Sequence, residues 1–182
     1  AIRVGASPAA VARKDPSLRL TVTNRLMEQV QDARLSQSLT RFQRDMPWEV
    51  AGKPGQIRLE GKLIAFGDVA EHPEKFNLNA AQRRWLVDSK QLRDEHLADY
   101  INVAGEEKAF KYFGPQDEPY WPRFTVNESG RAYIKRPVGI KQSPAGERIY
   151  VEMEDAISRG VPYADPLDSL RLYGQSINKM VR

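Results

Sequence analysis

Two histidines, no cysteine and a few neighbouring acids are the raw material for acid–base, nucleophilic or metal chemistry in this chain. His96 stands in Asp94-Glu95-His96-Leu97-Ala98-Asp99, and on a helix Asp99 falls beside it at i+3. A metal site needs three or four such ligands, and His72 lies outside that helix, ahead of Pro73. The di-metal helix signature places Glu three residues before His, where this chain has the cation of Arg93. The expectation is a solvent-facing His–Asp pair with no metal. Serine chemistry lacks its Gly-x-Ser-x-Gly elbow, and neither glycine-rich phosphate loop occurs. Glu106-Glu107 and Asp117-Glu118 are adjacent acids, read as solvated. The sequence therefore predicts no catalytic residue, no cofactor and no enzyme.

Binding chemistry is better represented. Tyr120, Trp121, Arg123, Phe124, Arg131, Tyr133, Lys135, Arg136 and Lys141 gather around one candidate hairpin. Arg131, Tyr133 and Lys135 share a face if their segment is a strand, because side chains alternate. Aromatics among cations can stack bases and neutralise phosphates, so Arg123, Arg131, Tyr133, Lys135, Arg136 and Lys141 are the candidate nucleic-acid contacts. The competing reading has the tyrosine covering helices and the cations guarding a strand edge. The second candidate surface is apolar. Leu167, Leu170, Gly174, Ile177 and Val181 recur at intervals of three and four, which marks one face of a terminal helix. Left uncovered, that seam is a contact site; the alternative is that the preceding helix folds back over it.

The elements that would carry these residues form a mostly α, α+β module. Residues 1–16 are small and proline-punctuated and read as an extended arm or linker, with residues 17–182 as one helical domain. A long helix is expected near Thr23–Asp45, with Thr23 as its cap. Val22, Leu26, Val30 and Ala33 form one stripe on it; Leu35, Leu39, Phe42 and Met46 continue after a phase shift. A short hairpin turns at Glu60-Gly61. A central helix starts at Asn79, with Gln82 completing a capping box, and stops at Gly105. A β-hairpin is expected near 122–136. A terminal helical pair follows, from about Ala145 to Arg159 and from Pro166 onward, with Asp165 capping the second.

Composition sets outer bounds. A hydrophobic share of 41% with 29% charged residues is that of an ordinary globular chain, and no stretch reaches the roughly 20 apolar residues of a membrane span. No signal-peptide run opens the chain. Residues 1–58 hold ten basic and five acidic residues, residues 59–121 eight and twelve, and residues 122–182 ten and seven. Two basic flanks around an acidic middle can meet nucleic acid or pair across copies. The last helix is still running at Arg182 and the first residue is Ala1, so the chain is expected to be a piece of a longer polypeptide.

Residues 120–182 resemble segments of large phage-type virion-associated or polyvalent proteins. The likeness lies in the order Tyr120-Trp121-Pro122-Arg123-Phe124, a hairpin with Gly130, Glu147-Arg148-Ile149-Tyr150-Val151-Glu152-Met153 leading a helix to Arg159-Gly160-Val161-Pro162-Tyr163, and Asp165-Pro166 opening another. It implies a structural, protein-interaction component of a virion or similar assembly, located in the virion or host cytoplasm. Its partners would be other subunits or the rest of a parent chain. The resemblance implies no active-site residue. The alternative is a nucleic-acid-contacting module that uses the basic hairpin with Arg25, Arg34, Arg41 and Arg44.

Overall fold

A computed structural model describes residues 16–113, 120–126 and 152–181. Helix α1 spans Pro16–Arg44, 29 residues, or about 43 Å at 1.5 Å per residue. It starts well before the expected Thr23: neither Gly nor Pro interrupts residues 17–22, Pro is well tolerated in a first helical turn, and Thr23 sits exposed inside the helix. The arm expected over residues 1–16 otherwise lies outside the described residues.

A small antiparallel sheet follows in the order β1 (Glu49–Val50), β2 (Gln56–Leu59), β3 (Lys62–Ala65). Its β2–β3 turn falls at Glu60 and Gly61, as the sequence predicts. Both carry positive φ, 50° and 78°, the signature of the tight turn whose twist suits a hairpin. The chain then turns into α2 (Phe66–Glu71) and a single 3-10 turn, Pro73–Lys75.

Helix α3 (Ala80–Ala104) opens on the predicted capping box: Gln82 N–H donates to Asn79 Oδ1, and Asn79 N–H donates to Gln82 Oε1, each at 2.9 Å. It closes at Gly105, whose φ of 88° leaves the helical region. Helix α4 (Glu106–Phe113) follows, then α5 (Met153–Ser158) and α6 (Pro166–Val181). The helix expected from about Ala145 starts, within the described residues, only at Met153, because Glu152 is extended. Of the hairpin expected near 122–136, residues 127–136 lie outside the described residues. Within them, Thr125 bridges Tyr163, Val126 N–H donates to Pro162 O, and Ala164 N–H donates to Phe124 O.

The main core gathers Phe42, Trp48, Ile57, Phe66, Trp85, Trp121 and Leu170. Phe66 sits edge-on to Trp48, Trp85 and Trp121 at 5.1, 5.8 and 4.7 Å between centroids. A second cluster (Leu97, Tyr100, Tyr173, Ile177) joins α3 to α6, and a third (Ala65, Met153, Ala156, Ile157, Tyr163) seats α5 on the sheet.

Candidate functional site

The terminal seam is closed inside the chain, which corrects the expectation of an exposed contact site there. Leu170 and Ile177 are 1% and 0% exposed, Gly174 is buried, and Leu167 and Val181 are half-buried. The cover is not the preceding helix: α6 packs against α3 and α1, while α5 lies on β3 and α2. Gly174 is where Leu35 of α1 enters. A Cβ placed at 174 would stand 2.6 Å from Leu35 Cδ1, so the missing side chain makes room for a leucine.

The aromatic-Pro-Arg motif is also internal. Trp121 is 1% exposed, lies against Phe66 and Trp85, and carries the Arg93 guanidinium 5.2 Å from its ring centroid. Arg93 donates to the Tyr120 carbonyl and to Ser89 O, and burial lowers its pKa. Arg123, with its side chain 7% exposed, pairs with Glu71 Oε2 at 2.7 Å and Asp68 Oδ1 at 3.6 Å. A guanidinium committed to buried Glu71 and half-buried Asp68 does not serve a phosphate, so Arg123 is corrected from a nucleic-acid contact to a structural ion pair. Arg131, Tyr133, Lys135, Arg136 and Lys141 lie outside the described residues. Arg34, Arg41 and Arg44 of the alternative set pair with Glu95, Asp88 and Asp45.

His96 is 5% exposed rather than solvent-facing. It sits where α3 meets α1 and α6, with Nδ1 lacking a hydrogen-bond partner among the described residues. Burial lowers its pKa, with Arg34 adding to the effect and Asp99, Glu95 and a hydrogen bond to Asn178 opposing it. Asn178 also donates to Asp32 Oδ1 of α1 at 3.3 Å. The result is a polar bridge across three helices. Among the described residues no group of three or more histidines and acids is placed to hold a metal ion, and no helix is long and apolar enough to cross a membrane.

Several carboxylates do work that the sequence reading missed. Asp68 accepts from the Met153 and Glu154 amides at 2.6 and 2.8 Å, placing negative charge at the start of α5, where the helix dipole favours it. Glu154 in turn accepts from the Ala65 amide at 2.8 Å. Glu71 accepts from the Trp121 amide, and Asp165 from the Gly55 amide, each at 2.9 Å. Asp165 thus ties a loop to the start of α6 with the side chain expected to cap it. These contacts join segments 50 to 110 residues apart.

One stretch of α1, residues 23–30, lies outward. From residue 23 to 30 all but Glu28 are exposed, and Leu26, Met27 and Val30 are 57%, 58% and 67% exposed. The second half is held: Leu35 and Phe42 are buried, and Trp85 Nε1–H donates to Phe42 O. At about 100° per residue, Leu35 lies about 180° around the helix from Leu26. The phase shift between the two stripes is therefore half a turn, and Leu26 and Leu35 occupy opposite faces. The body takes one and leaves the other in water.

Compared with known protein families, curated proteins and solved structures, the chain finds no match in any of the three. Among the described residues, the terminal seam is covered, and residues 23–30 of α1 carry the densest group of exposed apolar side chains.

Proposed function

We propose that this chain is a structural, protein-interaction component of a large assembly, of the phage-type kind that residues 120–182 resemble, working in the virion or host cytoplasm. The outward half of α1 is its contact element. The observation that carries this reading is the exposed pair Leu26 and Val30 on the face opposite the one the body covers, with exposed Met27 on its flank. Contiguous exposed apolar side chains mark interaction sites. A helical stretch with little tertiary packing, such as residues 23–30, is also only marginally stable in water, so a partner supplies what the body does not. Nucleic-acid contact is the alternative: Arg123 is committed to Glu71 and Asp68, while Arg34, Arg41 and Arg44 form exposed surface pairs with Glu95, Asp88 and Asp45.

Sedimentation of extracts from the source that makes this protein tests the reading. The native protein should travel in a high-mass complex, and the Leu26→Asp/Val30→Asp variant should travel as a small free species. A variant that stays in the complex, or a native protein that never enters one, contradicts it. Binding to DNA that collapses between 50 and 200 mM salt, as counterion release requires, would favour the alternative.

A further inference from the structure

We infer that His96 is an acid-sensitive latch. While neutral it fastens the middle of α1 to α3 and α6, and its protonation lifts residues 31–38 of α1 from the body while the aromatic core stays closed. The device sets how much of α1 is free in water. It does not depend on what α1 contacts, so it stands or falls apart from the reading above.

The surroundings of Nδ1 carry the inference. His96 is 5% exposed, and Nδ1 is buried with no hydrogen-bond partner among the described residues. The bond to Asn178 therefore belongs to Nε2. The Asn178 amide nitrogen donates to Asp32 Oδ1 at 3.3 Å, which leaves the Asn178 carbonyl oxygen to accept the Nε2 proton. In that tautomer Nδ1 holds a bare lone pair. A proton added there becomes a buried N–H without an acceptor and brings a charge with it, and both are unfavourable away from water. The charged groups facing the ring are Arg34 of α1 and Glu95 and Asp99 of α3, with Asp32 of α1 reached through Asn178. From α6 the ring meets the neutral Asn178. Burial outweighs the two acids and Arg34 adds to it; Glu95 is also bonded to the Arg34 guanidinium at 2.8 Å.

Position decides what gives way. His96 meets α1 at Asp32 and Arg34, directly after the exposed stretch 23–30. Lifting the next two turns of α1 brings water to the ring and breaks few contacts. They are Asp32 with Asn178, Arg34 with Glu95, and Leu35 over Gly174. The anchor beyond them is separate. Phe42 O accepts from Trp85 Nε1–H, and the two rings lie 5.2 Å apart between centroids. Trp85 stands about 16 Å along α3 from His96, so the aromatic core can stay closed while the latch opens. The sign follows from the two states of the ring. Opened to water it titrates near its ordinary value of about 6.5, and closed it titrates lower. The latch is therefore fully fastened above about pH 6.5 and loosens as pH falls from there through the lowered value. One proton of this kind raises the opening constant by at most about tenfold at pH 5.5.

Histidine NMR and amide exchange on the whole chain test the latch. The chain has two histidines, so His72→Gln leaves a single ring signal, and it should titrate below about 6.5. Between pH 7.5 and 5.5, the amides of residues 31–38, corrected for the direct effect of pH on exchange, should lose protection several-fold. Those of residues 42–44 and of β2 should hold theirs. Tryptophan emission should stay constant over the same range, since Trp48, Trp85 and Trp121 all lie in the main core. His96→Gln keeps a donor for Asn178 and takes up no proton, so it should abolish the loss at 31–38, whereas His72→Gln should leave it intact. A ring that titrates at or above its ordinary value overturns the inference. So does protection at 31–38 that is unchanged by acid, or lost together with that of β2. If His96→Gln does not fold, the titration and the wild-type exchange pattern decide without it.

Discussion

The two halves of α1 have similar apolar content and opposite fates. Leu35 and Phe42 are buried by α6 and α3, whereas Leu26 and Val30, nine and five residues before Leu35, face water. The difference is angular. A helix packed on one side of a body can bury only the stripe that points at it, and a shift of about 180° within a single helix leaves the other stripe in water. Burial follows azimuth as much as hydrophobicity.

The sharpest way to break this comparison is truncation on each face. Phe42→Ala should cost about 3–5 kcal/mol, as buried aromatic truncations do, because it leaves a gap beside Trp85, 5.2 Å away between ring centroids. Leu26→Ala should stay within about 0.5 kcal/mol in dilute protein. Urea unfolding measures both, and equal losses would mean that the stripes share one environment. A second test acts on the α1–α6 contact. Gly174→Leu should cost about 1–3 kcal/mol by overpacking against Leu35, and adding Leu35→Ala should recover part of it, since touching residues are energetically coupled. Additive losses would show that Leu35 does not fill the space over Gly174.

The junction between the halves titrates. His96 is held neutral in the fold chiefly by burial, while in the unfolded chain it takes up a proton near its ordinary value of about 6.5. Its contribution is therefore fully present above about pH 6.5 and is lost as pH falls from there through the lowered folded-state pKa. The urea midpoint should drop between pH 7.5 and 5.5, and His96→Gln should flatten that drop. An identical pH profile in the variant would remove His96 from the account. The smallest effect belongs to Arg34→Ala. Its partner Glu95 is itself 40% exposed, so the loss should lie below about 1 kcal/mol. A larger loss in the same titration would make this surface pair a main anchor of α1.

Local features were legible in the sequence. Asn79 and Gln82 announce a helix start within four residues, and Glu60-Gly61 announces a hairpin within two. The long-range partners were not. Asp32 and Asn178 are 146 residues apart, and nothing local to Leu170 or Ile177 says that the first helix, rather than the preceding one, covers them. The buried pair of Arg123 with Glu71 had the same defect: an arginine among aromatics looks basic and available until the fold supplies its carboxylates. Thr23 misled because a good capping residue caps only where the helix begins. The half-turn between Leu26 and Leu35 was countable from the residues alone, but it gains meaning only once the body is known to occupy one side.

Amide hydrogen exchange along α1 in dilute protein tests the central claim most directly. The account predicts slow exchange over residues 35–44 and fast exchange over residues 23–30. Uniform protection along the whole helix in dilute protein would contradict it.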